Sequence, residues 1–80
     1  MIDHALLDLY EKSKGDPGRL PEEERNGLEP GWTVLDELSQ DLHMIRHGYT
    51  TDGYAKHVER RLKRECADES VVARLRAMRL

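Results

Sequence analysis

Leu35, Leu38, Leu42, Ile45 and Tyr49 recur at spacings of three, four, three and four, after the turn Glu29-Pro30-Gly31, with a glycine at position 48 before the last of them. That spacing lays one apolar seam along a helix, with Val34 and Met44 widening it. Thr33 reads as its N-cap, with Asp36 as the acidic partner of a capping box. Arg46 and His47 fill the last turn, and Gly48 supplies the stop. The seam is too short for a long coiled coil, so its apolar face must be covered by other segments of the chain.

Three further segments carry the same period. In the first, Ile2, Leu6, Leu9, Tyr10 and Ser13 share a face with Ala5 beside them, Asp3 is the cap and Gly15 the left-handed stop. Leu7 lies off that stripe and reads as exposed or as touching a partner. In the third, Thr50, Thr51 or Asp52 caps a helix whose stripe is Tyr54 or Ala55, then Val58, Leu62 and Cys66. In the last, Asp68 or Ser70 caps a helix burying Val71, Val72, Leu75, Met78 and Leu80, with Arg74, Arg76 and Arg79 outward. Residues 15–32 carry turn punctuation at Asp16-Pro17-Gly18 and at Glu29-Pro30-Gly31. Pro21 and the acids after it suit one helical turn, with Leu20 and Leu28 as anchors to the core. No segment alternates as a strand does and no internal repeat is present. The expected fold is all-α: one helical domain, 1–80, of about four helices (2–14, 33–47, 52–66, 69–79) with a long irregular connection over 15–32.

Eighty residues, 38% apolar and 36% charged, bury a modest core. The single cysteine, Cys66, excludes an intrachain disulfide and favours a reducing compartment. The start, MIDHALLDLY, lacks the basic stretch of a signal peptide, and no apolar run reaches the length of a bilayer span. A cytoplasmic protein without membrane partners is expected.

The net charge of −3 hides an asymmetry. Residues 1–42 hold four basic and eleven acidic side chains, or −7; residues 43–80 hold nine and five, or +4. Such polarity bears on partners rather than on fold. The acids Glu22, Glu23, Glu24, Glu29, Asp36, Glu37 and Asp41 form a candidate surface for docking onto a basic protein or nucleoprotein. Association through it would be fast and salt-sensitive. The profile is similar, in size and charge alone, to that of small inhibitors and adaptors encoded by phages and other mobile elements. The expected function is therefore a non-enzymatic protein that binds a macromolecule and modulates or inhibits it.

DNA binding is the alternative. Gly48 and the Tyr49-Thr50-Thr51 turn suit a helix-turn-helix, and Lys56, Arg60, Arg61, Lys63 and Arg64 offer phosphate contacts. Met44 stands where close helix packing wants a small residue, and Tyr54 and Ala55 read as core where base readout wants polar groups. A second alternative is homo-oligomerisation, with the two oppositely charged halves pairing between copies and the Leu35–Ile45 seam shared, as in a homodimer.

Chemistry is not expected. His43 and His47, four apart, have metal-ligand spacing, but Asp41, His4, His57 and Cys66 join them only through folding. His47 is better read as meeting the helix C-terminus. Cys66 reads as a small buried hydrophobe, and Glu22-Glu23-Glu24 lacks the alternation of a calcium loop. No glycine-rich phosphate loop or nucleophile elbow is present. No catalytic residue, metal or cofactor is assigned.

Overall fold

The computed structural model describes residues 1–78. Among these the chain is all-α. Helices α1 (His4–Lys12), α2 (Glu22–Arg25), α3 (Gly31–Arg46), α4 (Asp52–Glu65) and α5 (Glu69–Ala77) follow in order, with a 3-10 turn at Pro17–Arg19. The connection of 15–32 is therefore more structured than its punctuation suggests. Asp16 accepts from the Gly18 backbone N–H (2.9 Å) to cap the 3-10 turn, and Pro21 precedes the four-residue α2. The Glu29–Pro30 peptide is cis.

The caps explain most helix boundaries. Asp3 accepts from Leu6 N–H, Thr51 from Tyr54 N–H, and Asp68 from both Ser70 and Val71 N–H. Each satisfies a donor that the first helical turn leaves unpaired. Helix α3 differs from expectation. It starts at Gly31, Pro30 holds the cap position without a side-chain bond, and Thr33 lies inside the first turn. The Thr33 hydroxyl donates to Glu29 Oε2 (2.6 Å) rather than capping. The two additional helical residues swing Trp32 inward, where its ring meets Tyr10 at 5.1 Å and 50°.

The core runs through Ile2, Leu7, Tyr10, Leu20, Trp32, Leu35, Leu38, Leu42, Val58, Leu62, Cys66, Val71, Val72 and Leu75. Ile2, Tyr10 and Ser13 of the expected stripe are buried and Leu6 and Leu9 partly so, but Leu7, expected off the stripe, is fully buried. The reason is Ile2. It precedes the cap, so it is not in helical register, and counting the stripe from it rotates the face. Ile2 is extended and pairs instead with the α4–α5 joint. Its N–H donates to the Glu65 carbonyl (2.7 Å) and its carbonyl accepts from Ala67 N–H (2.8 Å). The α3 seam also ends early. Tyr49 lies past the helix and is 72% exposed, while Leu35, Leu38 and Leu42 face the interior of the same chain. Arg79 and Leu80, assigned above to the last helix, lie outside the described residues.

No buried side-chain nitrogen or oxygen lacks a hydrogen-bond partner among the described residues. Ser13, fully buried, donates to the Tyr10 carbonyl (3.2 Å). Tyr10 donates to Asp36 Oδ1 (2.8 Å), tying α1 to α3.

Candidate interaction site

Helices α3 and α4 form the centre of the surface chemistry. Two side-chain hydrogen bonds join them beside the shared core: Tyr54 donates to Asp41 Oδ1 (2.7 Å), and Arg61 donates to Glu37 Oε2 (2.7 Å). Climbing α4 from 54 to 61 descends α3 from 41 to 37. The pair is an antiparallel helical hairpin, in contact as far as Arg61, the tenth residue of α4. Each contact raises the group that donates. The Asp41 carboxylate raises the Tyr54 phenol, and the Glu37 carboxylate holds the Arg61 guanidinium above its ordinary value.

The acidic set divides among several places. Asp36 faces α1, bound to Tyr10, and also accepts from Gln40 (3.2 Å). Glu37 and Asp41 face α4. Glu29 accepts from Thr33, and Glu24 pairs with Lys12 (3.0 Å). Glu22 and Glu23, on α2, are exposed without an ion pair among the described residues. The seven acids thus form no single array.

The basic set is more coherent. Arg61 is taken by Glu37, and Arg64 approaches Glu65 at 3.4 Å. Lys56, Arg60 and Lys63 are exposed and make no ion pair among the described residues. Their spacing places them on one stripe of α4, about 10 Å long, opposite the buried Val58 and Leu62. Sequence periodicity had marked this face. Only the structure separates the cations without an ion pair from the tethered ones, and of the former Lys63 still acts on the Glu59 carboxylate through its charge.

Two arginines of α5 are also engaged. Arg74 bridges to Asp8 (2.6 Å) and Glu11 (3.0 Å) on α1 and reaches His4, while Arg76 pairs with Glu59. Arg76 lowers the Glu59 carboxyl, and Asp8 in turn raises Arg74. The expected polarity of the two halves is therefore partly cancelled across the Arg61–Glu37 and Arg74–Asp8 contacts.

Burial pushes the Cys66 thiol up, and the Glu65, Asp68 and Glu69 carboxylates add to this. A thiol so placed is poorly disposed to react. The His43 and His47 rings lie 4.4 Å apart, tilted by 56°, on the exposed end of α3, and His47 is the C-cap residue. No group of three or more His, Cys, Asp or Glu able to hold a metal ion occurs among the described residues. None of their helices is long and apolar enough to cross a membrane.

One feature escaped sequence reasoning. Met44 and Tyr54, each 41% exposed, and Tyr49 meet at the α3–α4 turn and line a hollow of about 410 Å³ with Thr50 and Thr51. Periodicity assigned all three to the core. The signal that could have found them is Gly48, since a helix that ends there releases Tyr49 from the seam.

By fold the chain is a small all-α bundle built on an antiparallel hairpin. No protein-family model matches it, and neither curated proteins nor solved structures provide a match.

Proposed function

We propose that this chain is a small non-enzymatic helical module that binds a macromolecular partner and modulates it, with the outer face of α4 as the charged contact. The observation that carries this reading is the stripe Lys56–Arg60–Lys63, whose cations have no carboxylate of their own chain in contact among the described residues. Unpaired, aligned cations raise encounter rates with an anionic surface and weaken with salt. The acidic set draws less support, because Asp36, Glu37 and Asp41 are already engaged by side chains of α1 and α4.

The same stripe favours a second reading, contact with DNA phosphates. Base readout by a helix-turn-helix is the less supported form of it. The antiparallel hairpin keeps α4 beside α3, and Met44 and Tyr49 are exposed where that motif packs its two helices together.

Affinity capture from lysate with the wild-type chain and with the Arg60→Glu/Lys63→Glu variant tests the reading. The wild-type chain should retain a stoichiometric partner at low salt and lose it at moderate salt, and the variant should retain none. Identical recovery by both proteins would remove α4 from the contact. Random duplex DNA retained by the wild type alone would move the assignment to nucleic acid.

A further inference from the structure

His43 lies in the last turn of α3 and His47 caps it, so a spacing of four puts both imidazoles on one face. Both residues are exposed, and neither ring takes part in a side-chain hydrogen bond or ion pair among the described residues. The ring centres lie 4.4 Å apart and the planes are tilted by 56°. That separation has a meaning in coordination chemistry. Two imidazoles that each hold one cation at about 2.0–2.1 Å place their centres about 4.5 Å apart when the two bonds meet at a right angle, and about 5.2 Å apart at the tetrahedral angle. The pair in α3 matches the right angle. Tyr49 stacks on the His47 ring at 6.0 Å and 21°, which covers one face and leaves the ring nitrogens at the edge. The two histidines line a groove of about 640 Å³ between α3 and α5, floored by Leu42, Leu75 and Met78. No carboxylate lines it. Asp36 and Asp41, the nearest acids along α3, are bound by Tyr10 and Tyr54. Arg46, the other basic side chain in the groove, donates to the Arg76 carbonyl (3.1 Å), which draws its guanidinium towards α5. The C-terminal end of α3 also carries the negative pole of the helix dipole, which favours a cation.

We propose that His43 and His47 form a chelating pair for a divalent transition-metal ion, Cu²⁺ ahead of Ni²⁺ and Zn²⁺. Imidazole nitrogen suits these ions, whereas Mg²⁺ and Ca²⁺ are held chiefly by carboxylates, which this groove lacks. Nitrogen donors meeting at a right angle belong to the tetragonal sites of Cu²⁺ and Ni²⁺, while Zn²⁺ takes a tetrahedral set. No His, Cys, Asp or Glu completes a set of three with them among the described residues. The remaining positions on the ion therefore go to water or to a donor brought by a second molecule, and the groove has room for either. Such a site is labile rather than structural. It lies on α3, apart from the Lys56–Arg60–Lys63 stripe, and does not depend on the reading of α4.

Calorimetric titration of the full chain, carrying no polyhistidine tag, with the chlorides of Cu²⁺, Ni²⁺, Zn²⁺ and Mg²⁺ tests the proposal. One equivalent of Cu²⁺ should bind, more tightly than Ni²⁺ or Zn²⁺, and Mg²⁺ should give no binding. His43→Gln and, separately, His47→Gln should each weaken Cu²⁺ about tenfold or more, because each removes one arm of the chelate. Both side chains are exposed, so both variants should keep the circular dichroism of the wild type. His4→Gln and His57→Gln should leave the affinity unchanged. The electron paramagnetic resonance of bound Cu²⁺ should be tetragonal with two imidazole nitrogens, and with one in either variant. Cu²⁺ should also raise the urea midpoint of the wild type and not of the variants, since the unfolded chain does not hold the rings together. Absence of Cu²⁺ binding, equal binding by the His43 and His47 variants, or binding lost in His4→Gln or His57→Gln instead overturns the proposal. Zn²⁺ bound more tightly than Cu²⁺ overturns it as well, because the geometry would then be tetrahedral.

Discussion

Lys14 shows how a single position deviates from the pattern around it. It closes α1 in the left-handed region, at φ +54°, with Gly15 following at +79°. The Gly15 N–H reaches the Tyr10 carbonyl at 2.9 Å, the same wide loop that Tyr49 N–H makes to Met44 at the end of α3. There the left-handed residue is Gly48, with nothing within 4 Å of the place a Cβ would occupy. One motif thus has a side chain at one helix end and none at the other. Lys14→Gly should stabilise by about 0.5–1 kcal/mol, and Gly48→Ala should destabilise by about 1 kcal/mol, because left-handed backbone penalises an L side chain. Urea midpoints of the two variants check both signs. Tyr10 offers a second test. Burial first, then its bond to Asp36, pushes its phenol up to about 12 from an ordinary 10.0. The neutral form belongs to the folded state, so this contribution is complete below pH 10 and is lost as pH rises towards 12. The loss should be on the order of 2 kcal/mol, seen as a falling urea midpoint over that interval and absent in Tyr10→Phe.

Helix α4 is the most charged element and the one most dependent on its ends. Val58 and Leu62 are its only buried residues among fourteen, so packing fixes it less firmly than it fixes α3. Its cap therefore matters. Thr51→Ala removes the acceptor for Tyr54 N–H and should destabilise by about 1 kcal/mol, measured by chemical denaturation. The stripe of α4 was legible because Val58, Leu62 and Cys66 repeat at four. Helix α1 was less legible. Reading Ile2 into its period turned Leu7 outward, whereas the cap at Asp3 ends the period there and leaves Leu7 and Tyr10 as the buried pair.

Across the whole molecule, the first residues are held by the joint between the last two long helices. Ile2, 1% exposed, fills that joint and donates its N–H to the Glu65 carbonyl. Residues more than 60 positions apart are thereby brought together, and α1 is held against α5 by the Arg74 contacts as well. Those ion pairs are exposed and worth little, so most of this closure rests on Ile2. Ile2→Ala should destabilise by about 2–4 kcal/mol, a large share of the stability expected of so small a domain. A urea titration followed by the fluorescence of Trp32 reads it. A shift below about 0.5 kcal/mol, the range of ordinary surface substitutions, would show the N-terminal segment to be dispensable.

The sequence by itself marked the four long helices, because helical period, the cap at Asp3 and the stop at Gly48 act over four or five residues; it left Thr51 and Asp68 among alternative caps, and the structure chose between them and gave the left-handed position after α1 to Lys14. The sequence also marked Cys66 as buried and located the basic face of α4. Only the tertiary structure decided which charges stay free, since Glu37 meets Arg61 and Asp8 meets Arg74 across long separations in the chain. It likewise decided that Leu7 points inward and that Met44, Tyr49 and Tyr54 gather at one exposed tip. Pairing and burial depend on which elements lie side by side, and no local spacing encodes that.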